Sequence, residues 1–142
     1  MKADFSGYAT RANVVCTDGR TIMPGAFKDQ HQVRVPLVWQ HDHNNPENVL
    51  GHAILEDRED GTYTYAFFNE TPKAQLVKAQ VKHGDITQMS IWANELYEKG
   101  KKVFRGAIRE VSLVLSGANP GAVLENVTIR HSDGEEFMLD DE

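Results

Sequence analysis

The histidines and serines of this chain are the residues best suited to nucleophilic catalysis. A serine hydroxyl is a poor nucleophile near neutral pH, so it needs a base within hydrogen-bond reach, and histidine fits because its unperturbed pKa is about 6.5. His41 directly follows the apolar residues 33–40 and precedes the polar, turn-rich residues 42–48. Functional side chains are often placed at such strand ends. His41 is therefore a candidate general base, with a hydrogen-bonded surface imidazole as the alternative.

Ser90 is the candidate nucleophile that the local sequence offers. It lies between Met89 and Ile91 in an apolar, strand-like segment that follows the helix stop at His83-Gly84. The alternative is that its hydroxyl simply points outward, in alternation with its buried neighbours. Two other serines compete for the role. We expect Ser112 to pack within a strand and Ser116 to support a turn.

Glu110 is the candidate third residue. It opens the strongly apolar segment 111–115, which ends in a loop rich in Gly, Asn and Pro. A carboxylate there could hold the imidazole tautomer and stabilise the imidazolium, as the third member of a catalytic triad does. The alternative is a surface acid paired with Arg109 or a lysine.

A metal site is the rival reading from another enzyme class. His41, Asp42 and His43, together with His52, could supply nitrogen and oxygen ligands to zinc. Adjacent ligands on a polar loop arise easily by chance, and no carboxylate-rich second cluster accompanies them. We therefore expect no cofactor, and the zinc hydrolase stays the weaker alternative.

The elements that must position these residues are mostly strands. Segments 51–56 and 62–69 read as a hairpin around Asp60-Gly61. Thr71, Pro72 and the apolar spacing up to His83 predict the main helix. Segments 86–95, 96–104, 108–115 and 127–129 again favour strands. The sum is an α+β, β-rich fold of about seven strands with one main helix and short helical attachments, arranged as a closed or nearly closed β-barrel.

Length and charge narrow the remaining choices. A chain of 142 residues fits one domain, which we place at residues 1–131, followed by an acidic, flexible tail at 132–142. The net charge of −6 argues against a nucleic-acid partner. The one cysteine, Cys16, excludes an internal disulfide, and we expect it to be buried and inert. No apolar run reaches the roughly 20 residues that span a bilayer, so we expect no membrane partner.

Several segments taken together resemble the prohead proteases of tailed bacteriophages, which are related in fold to the herpesvirus assemblins. The resemblance covers most of the chain, and its order and spacing are more specific than any one piece. The chain departs from the pattern at Trp92-Ala93, where a small residue would commonly follow Ser-Ile. The segments that carry the resemblance are Phe5-Ser6-Gly7-Tyr8-Ala9, Pro24-Gly25-Ala26-Phe27, Pro36-Leu37-Val38-Trp39-Gln40-His41-Asp42, Ser90-Ile91, Glu110-Val111-Ser112-Leu113-Val114 and Ala118-Asn119-Pro120.

The resemblance implies a serine endopeptidase with His41 as base, Ser90 as nucleophile and Glu110 as third member. The third member varies across the wider group, so His43, His52 or Asp42 stay open in place of Glu110. The oxyanion donors implied are backbone N–H groups of residues 116–121, or Arg105 or Arg109.

The resemblance also implies substrates, partners and a location. The substrates would be the scaffold and major capsid protein, and the enzyme itself by self-cleavage. Self-association is a further implied contact, and the location is the host cell cytoplasm, inside the assembling prohead. The departure at Trp92 leaves one further alternative, a catalytically inactive scaffold-binding module of the same fold.

Overall fold

The computed structural model describes residues 2–128, and these form a mostly β structure with one α-helix. The predicted tail at 132–142 and the residue Ile129 of the predicted last strand lie outside the described residues. Two short 3-10 turns, Lys28–Gln30 and Pro46–Asn48, accompany the regular elements. The elements in chain order are β1 (Phe5–Arg11), β2 (Thr21–Ile22), β3 (Arg34–Trp39), β4 (Val49–Arg58), β5 (Gly61–Phe68), α1 (Pro72–His83), β6 (Gln88–Lys99), β7 (Lys102–Val114) and β8 (Leu124–Val127).

The eight strands belong to one sheet, in the order β2-β7-β3-β4-β5-β1-β8, and β6 pairs with β7 beside this path. The sheet is mostly antiparallel, but β3 and β2 both run parallel to β7. The predicted barrel is not confirmed, because the path does not close on itself. An isolated bridge between Gln88 and Val123 links β6 to the chain just before β8.

Strands β4 and β5 form the predicted hairpin. Its strands pair in continuous register from Gly51 opposite Phe68 to Arg58 opposite Gly61. Gly51 is required here because a Cβ at this position would lie 1.8 Å from the carbonyl oxygen of Phe67. The hairpin therefore forms where the alternating β-formers and the Asp60-Gly61 turn predicted it.

Helix α1 begins and ends as the sequence predicts. Pro72 occupies the first turn, where its missing N–H costs no hydrogen bond, and Gly84 ends the helix with a left-handed φ of 95°. Its buried residues Ala74, Val77 and Val81 pack into the core cluster. No helix among residues 2–128 is long and apolar enough to cross a bilayer.

The second half of the sheet differs from the prediction in its boundaries. The predicted strands 96–104 and 108–115 are not separate, since β7 runs unbroken through Gly106. The β6–β7 turn at Gly100-Lys101 agrees with the turn that residues 98–101 predict. Pairing with β6 continues on both sides of Gly106, with register shifts between Asn94 and Tyr97. The last strand starts at Leu124, earlier than predicted, because it pairs with β1.

Strand β3 leads the chain into the candidate site. It pairs with β4 along one edge, and with β7 along the other edge only from Leu37 onward. Pro36 precedes this second pairing, so its missing N–H removes no bond to β7. The register of β3 against β4 shifts between Leu37 and Val38, directly after Pro36. Leu37 and Val38 are buried, so the end of β3 is held in the core.

Candidate active site

The chain turns sharply at the end of β3, and this turn carries His41. Gln40 and His41 both have left-handed backbone angles, with φ of 53° and 59°. Hydrogen bonds to carbonyl groups help to hold the turn: Gln40 N–H donates to the Leu113 carbonyl, Asp42 N–H to the Trp39 carbonyl, and the Asn48 side-chain amide to the Asp42 carbonyl. The turn therefore lies against β7 and does not extend freely into solvent.

Glu110 lies beneath the turn and contacts two imidazoles. Its Oε2 is 3.2 Å from Nδ1 of His41 and 3.0 Å from Nδ1 of His43. In the Nδ1–H tautomer each ring donates to the carboxylate and leaves its Nε2 free to accept a proton. The Glu110 residue is only 2% exposed, while the two histidine rings remain partly accessible. The Glu110 carboxylate thus orients both imidazole rings.

The surroundings of Glu110 explain its burial. Trp92 is directly opposite Glu110 on the neighbouring strand β6, and paired residues point to the same face of a sheet. The Trp92 indole packs on the His43 ring, with centroids 5.2 Å apart. Glu110 Oε1 is buried and has no hydrogen-bond partner among the described residues. Trp92, which departs from the expected sequence pattern, therefore packs against His43 at the edge of the site.

Ser90 lies on the same face of the sheet, two residues before Trp92. It is directly opposite Ser112 in the β6–β7 register, which places the two Cβ atoms about 5 Å apart. Ser90 is mostly buried, at 9% exposure, and its hydroxyl makes no hydrogen bond within residues 2–128.

Ser112 connects the two halves of the candidate site. Its Oγ accepts a hydrogen bond of 3.0 Å from the backbone N–H of His41. Ser112 is fully buried, so it cannot meet a substrate directly. Because Ser112 is adjacent to both Ser90 and the His41 backbone, the structure brings Ser90, His41 and Glu110 into one cluster.

A cavity of about 190 Å³ lies beside Ser90. Its walls are mainly apolar and include Ile22, Phe27 and Leu96, and its polar lining includes Cys16. Cys16 is half-buried and not fully buried as expected, and burial raises the pKa of its thiol. A raised pKa keeps the thiol protonated and unreactive.

Of the other predicted third members, His43 contacts Glu110, whereas Asp42 and His52 do not join the cluster. The Asp42 carboxylate accepts a hydrogen bond from the Asn45 side chain. His52 lies on β4 and stacks on Phe67, with ring centroids 4.8 Å apart. Within the described residues no group of three His, Cys, Asp or Glu side chains could hold a metal ion. The zinc site built on His41, His43 and His52 is therefore not formed, because His52 lies within β4, opposite Pro36, and not on the turn that carries His41 and His43.

The environment of His52 gives a prediction about pH. Burial, and secondarily the charge of Arg34, lower the pKa of His52 below its ordinary 6.5. The unfolded chain therefore binds a proton more readily than the folded one, so stability is lost as the pH falls below about 6.5. Equilibrium unfolding in urea between pH 5 and 8 should show a decline toward low pH that is weaker in His52→Gln. The matched control His83→Gln, at an exposed histidine, should leave the decline unchanged, and an equal weakening there would contradict the assignment.

The predicted oxyanion donors are two arginines and the backbone N–H groups of residues 116–121, and the structure places these two groups differently. Arg109 donates to Asn94 and Glu95 on β6, and Arg105 lines a separate cavity beside Pro24. The backbone N–H groups of Ala118 and Asn119 have no hydrogen-bond partner among the described residues, and both residues line the cavity beside Ser90. The backbone N–H groups of this loop are therefore better placed than the two arginines to bind an oxyanion beside Ser90.

Sequence reasoning missed the residues that hold the site in place. Gln40 accepts a hydrogen bond at Oε1 from the Leu115 N–H, and Lys73 of helix α1 donates to Asn48. For Ser112 the sequence predicts only packing within a strand, whereas its hydroxyl also binds the His41 backbone. No local sequence signal marks these contacts, since each joins segments that are distant in the chain. The sequence indicated a role for Gln40 only through its position next to His41.

Comparison with known proteins extends this picture. A family model described as caudovirus prohead serine protease matches residues 1–137. Two solved structures of KSHV protease share the fold. One, in complex with a hexapeptide phosphonate inhibitor, has a TM-score of 0.61 and 14% identity over 92% of this chain and 70% of that chain. The other has a TM-score of 0.55 and 14% identity over 92% of this chain and 66% of that chain.

No curated protein matches the chain in sequence. The family match spans nearly all of the chain and agrees with the resemblance carried by the segments around His41, Ser90 and Glu110. The likeness to KSHV protease supports the same fold. The chain therefore belongs to the caudovirus prohead serine protease family.

Proposed function

We propose that this peptidase is a serine endopeptidase in which Ser90 is the nucleophile, His41 the general base and Glu110 the residue that orients His41. The observation that carries the proposal is the contact of His41 Nδ1 with Glu110 Oε2 on the sheet face where Ser90 also lies. A buried carboxylate on one ring nitrogen leaves the other nitrogen to take a proton from the nucleophile.

The chemistry follows from this arrangement. Ser90 Oγ attacks the peptide carbonyl carbon while its proton passes to His41 Nε2, and Glu110 stabilises the imidazolium through the Nδ1–H. The tetrahedral intermediate collapses as His41 Nε2 protonates the leaving amine, and an ester remains on Ser90. Water then attacks the ester with His41 again acting as base, which releases the acid and restores the serine.

The cavity beside Ser90 supports the binding of an extended peptide. Its apolar walls suit an apolar side chain next to the scissile bond. The unpartnered N–H groups of Ala118 and Asn119 are the proposed donors to the developing oxyanion, since preorganised backbone donors are effective there.

The family supports a role in capsid maturation. We propose that the substrates are the scaffold and the major capsid protein of the phage, and the enzyme itself by self-cleavage. The enzyme would act inside the assembling prohead, where confinement raises the local concentration of both enzyme and substrate. Self-association of the chain is part of the same proposal, and no cofactor takes part in the steps above.

His43 provides a test of which group is the third member. It shares Glu110 Oε2 with His41, and no hydrogen bond joins the two imidazoles among the described residues. We expect His43→Ala to lower kcat by less than about tenfold, which corresponds to about 1.4 kcal/mol, because His41 keeps its carboxylate. Steady-state cleavage of a peptide substrate measures this, with His83→Ala at an exposed site as control. A loss as large as that of a nucleophile variant would make His43 the third member.

An inactive scaffold-binding module is the second candidate, because Trp92 replaces a small residue beside Ser90 and covers His43. Co-expression with the phage's own capsid and scaffold proteins, followed by intact-mass measurement, separates the two functions. We expect cleavage by the wild type and none by Ser90→Ala. Cleavage by neither would favour the binding module, and equal cleavage by both would move the nucleophile to another residue.

A further inference from the structure

We propose that Ser112 is a positioning residue for catalysis, which fixes the backbone of His41 so that its imidazole meets both Glu110 and Ser90. The inference rests on the proposed function, since it assigns a role to a residue that does not touch the substrate. The Ser112 hydroxyl accepts the His41 N–H at 3.0 Å. Ser112 is thus bound to the main chain of the base and not to its ring.

The backbone of the turn needs such a restraint. Gln40 and His41 are two consecutive residues other than glycine with left-handed angles, a conformation that L-residues adopt only when the surrounding structure enforces it. The Leu113 carbonyl and the Leu115 N–H bind Gln40. Ser112 is the partner that β7 provides to the His41 backbone N–H, which would otherwise have no partner among the described residues.

The position of Ser112 along β7 links the turn to the carboxylate. Ser112 and Glu110 are two residues apart on one strand, so their side chains point to the same face. Glu110 binds the His41 ring and Ser112 binds the His41 backbone. These two contacts from β7 fix both the backbone and the ring of His41. They therefore determine where His41 Nε2 lies relative to Ser90, which is opposite Ser112.

Burial separates this role from that of a nucleophile. Ser112 has no exposed surface, whereas Ser90 retains 9% and lines the cavity. A substrate carbonyl can therefore approach Ser90 but not Ser112. Removal of the Ser112 hydroxyl is expected to move the base without removing any reacting atom.

The test is the kinetic effect of Ser112→Ala. A misplacement of a catalytic group by about 1 Å can cost about 10²-fold, so we expect kcat to fall by about 10²-fold with little change in KM. Ser112→Thr keeps the hydroxyl and should restore kcat to within about tenfold of the wild type. If the added methyl group prevents folding, Ser112→Cys, with a weaker acceptor of similar size, should give an intermediate kcat.

A matched control removes a buried hydroxyl elsewhere. Thr64 is also fully buried, and its Oγ1 donates to the Ile54 carbonyl at 3.2 Å in the β4–β5 hairpin. We expect Thr64→Val to lower the melting temperature as Ser112→Ala does, but to leave kcat unchanged. A proton NMR signal of the His41 Nδ1–H should also shift in Ser112→Ala and not in Thr64→Val, which a purely structural role of Ser112 would not produce.

Labelling with a peptidyl phosphonate separates failure of this inference from failure of the proposed function. If Ser112→Ala retains full kcat and labels normally at Ser90, the positioning role is wrong and the peptidase proposal stands. If Ser112→Ala cannot be labelled while Ser90→Ala labels at Ser112, then Ser112 is the nucleophile and both proposals are overturned. Slow labelling of Ser112→Ala at Ser90 is the result that supports the inference.

Discussion

Replacing Ser90 by alanine is expected to lower kcat by about 10⁶-fold, the loss found when a serine nucleophile is removed from a complete triad. Binding should change little, since the alanine variant keeps the cavity and the turn that carries His41. The measurement is the rate of cleavage of a peptide that spans a maturation site, followed by mass spectrometry over long incubation.

The stability of the Ser90→Ala protein makes this result interpretable. The Ser90 hydroxyl has no hydrogen-bond partner within the described residues although Ser90 is mostly buried, so its removal breaks no bond and should not lower the melting temperature. Ser116→Ala, in the exposed loop after β7, is the matched control and should keep its activity. Comparable activity of Ser90→Ala and wild type would refute the assignment of the nucleophile.

The second large effect is expected at Glu110. Glu110→Gln should lower kcat by about 10⁴-fold, as the loss of the charge on a triad acid does when the geometry is kept. A neutral amide cannot stabilise the His41 imidazolium. Its NH₂ group, if it faces the ring, would also favour the tautomer in which Nε2 already carries the proton. Steady-state kinetics with the same peptide give the measurement.

The control for Glu110→Gln is Glu95→Gln on the neighbouring strand. Glu95 is exposed and pairs with Arg109, and a surface pair of this kind contributes about 1 kcal/mol or less to stability. We expect this variant to keep wild-type kinetics. A Glu110→Gln enzyme with unchanged kcat would mean that the carboxylate only supports the fold and that another group orients His41.

Local sequence signals predicted those parts of the fold that depend on short-range chemistry. Pro72 and Gly84 mark the two ends of helix α1 because one lacks an N–H and the other adopts a left-handed angle. The Asp60-Gly61 turn places β4 and β5 side by side. In each case the residues that determine the element lie within it, so periodicity and turn chemistry were sufficient.

Strand boundaries in the second half of the chain were less predictable. β7 continues through Gly106 because β6 pairs with it on both sides of that glycine. This pairing joins residues that the local sequence pattern assigns to two strands. A break in hydrophobic alternation is typical of a bulge as well as of a strand end. The parallel pairing of β3 with β7 is also invisible locally, since parallel partners are distant in the chain.

The candidate site was likewise predictable only in part. The resemblance and the strand ends indicated His41, Ser90 and Glu110, and all three lie in one cluster of the folded chain. That Glu110 binds both His41 and His43 could not be read from spacing, because 67 to 69 residues separate the partners. The register of β7 against β3 and β6 brings them together, and register is a property of the whole sheet.

The most direct test of the central claim is the location of a covalent adduct. The wild-type protein, incubated with a peptidyl phosphonate whose side chain next to the phosphorus is apolar, should gain the mass of one phosphonyl group. Peptide mapping should place that group on Ser90, and His41→Ala should slow its formation. An adduct on Ser112 or Ser116, or no adduct while the protein still cleaves capsid protein, would contradict the account.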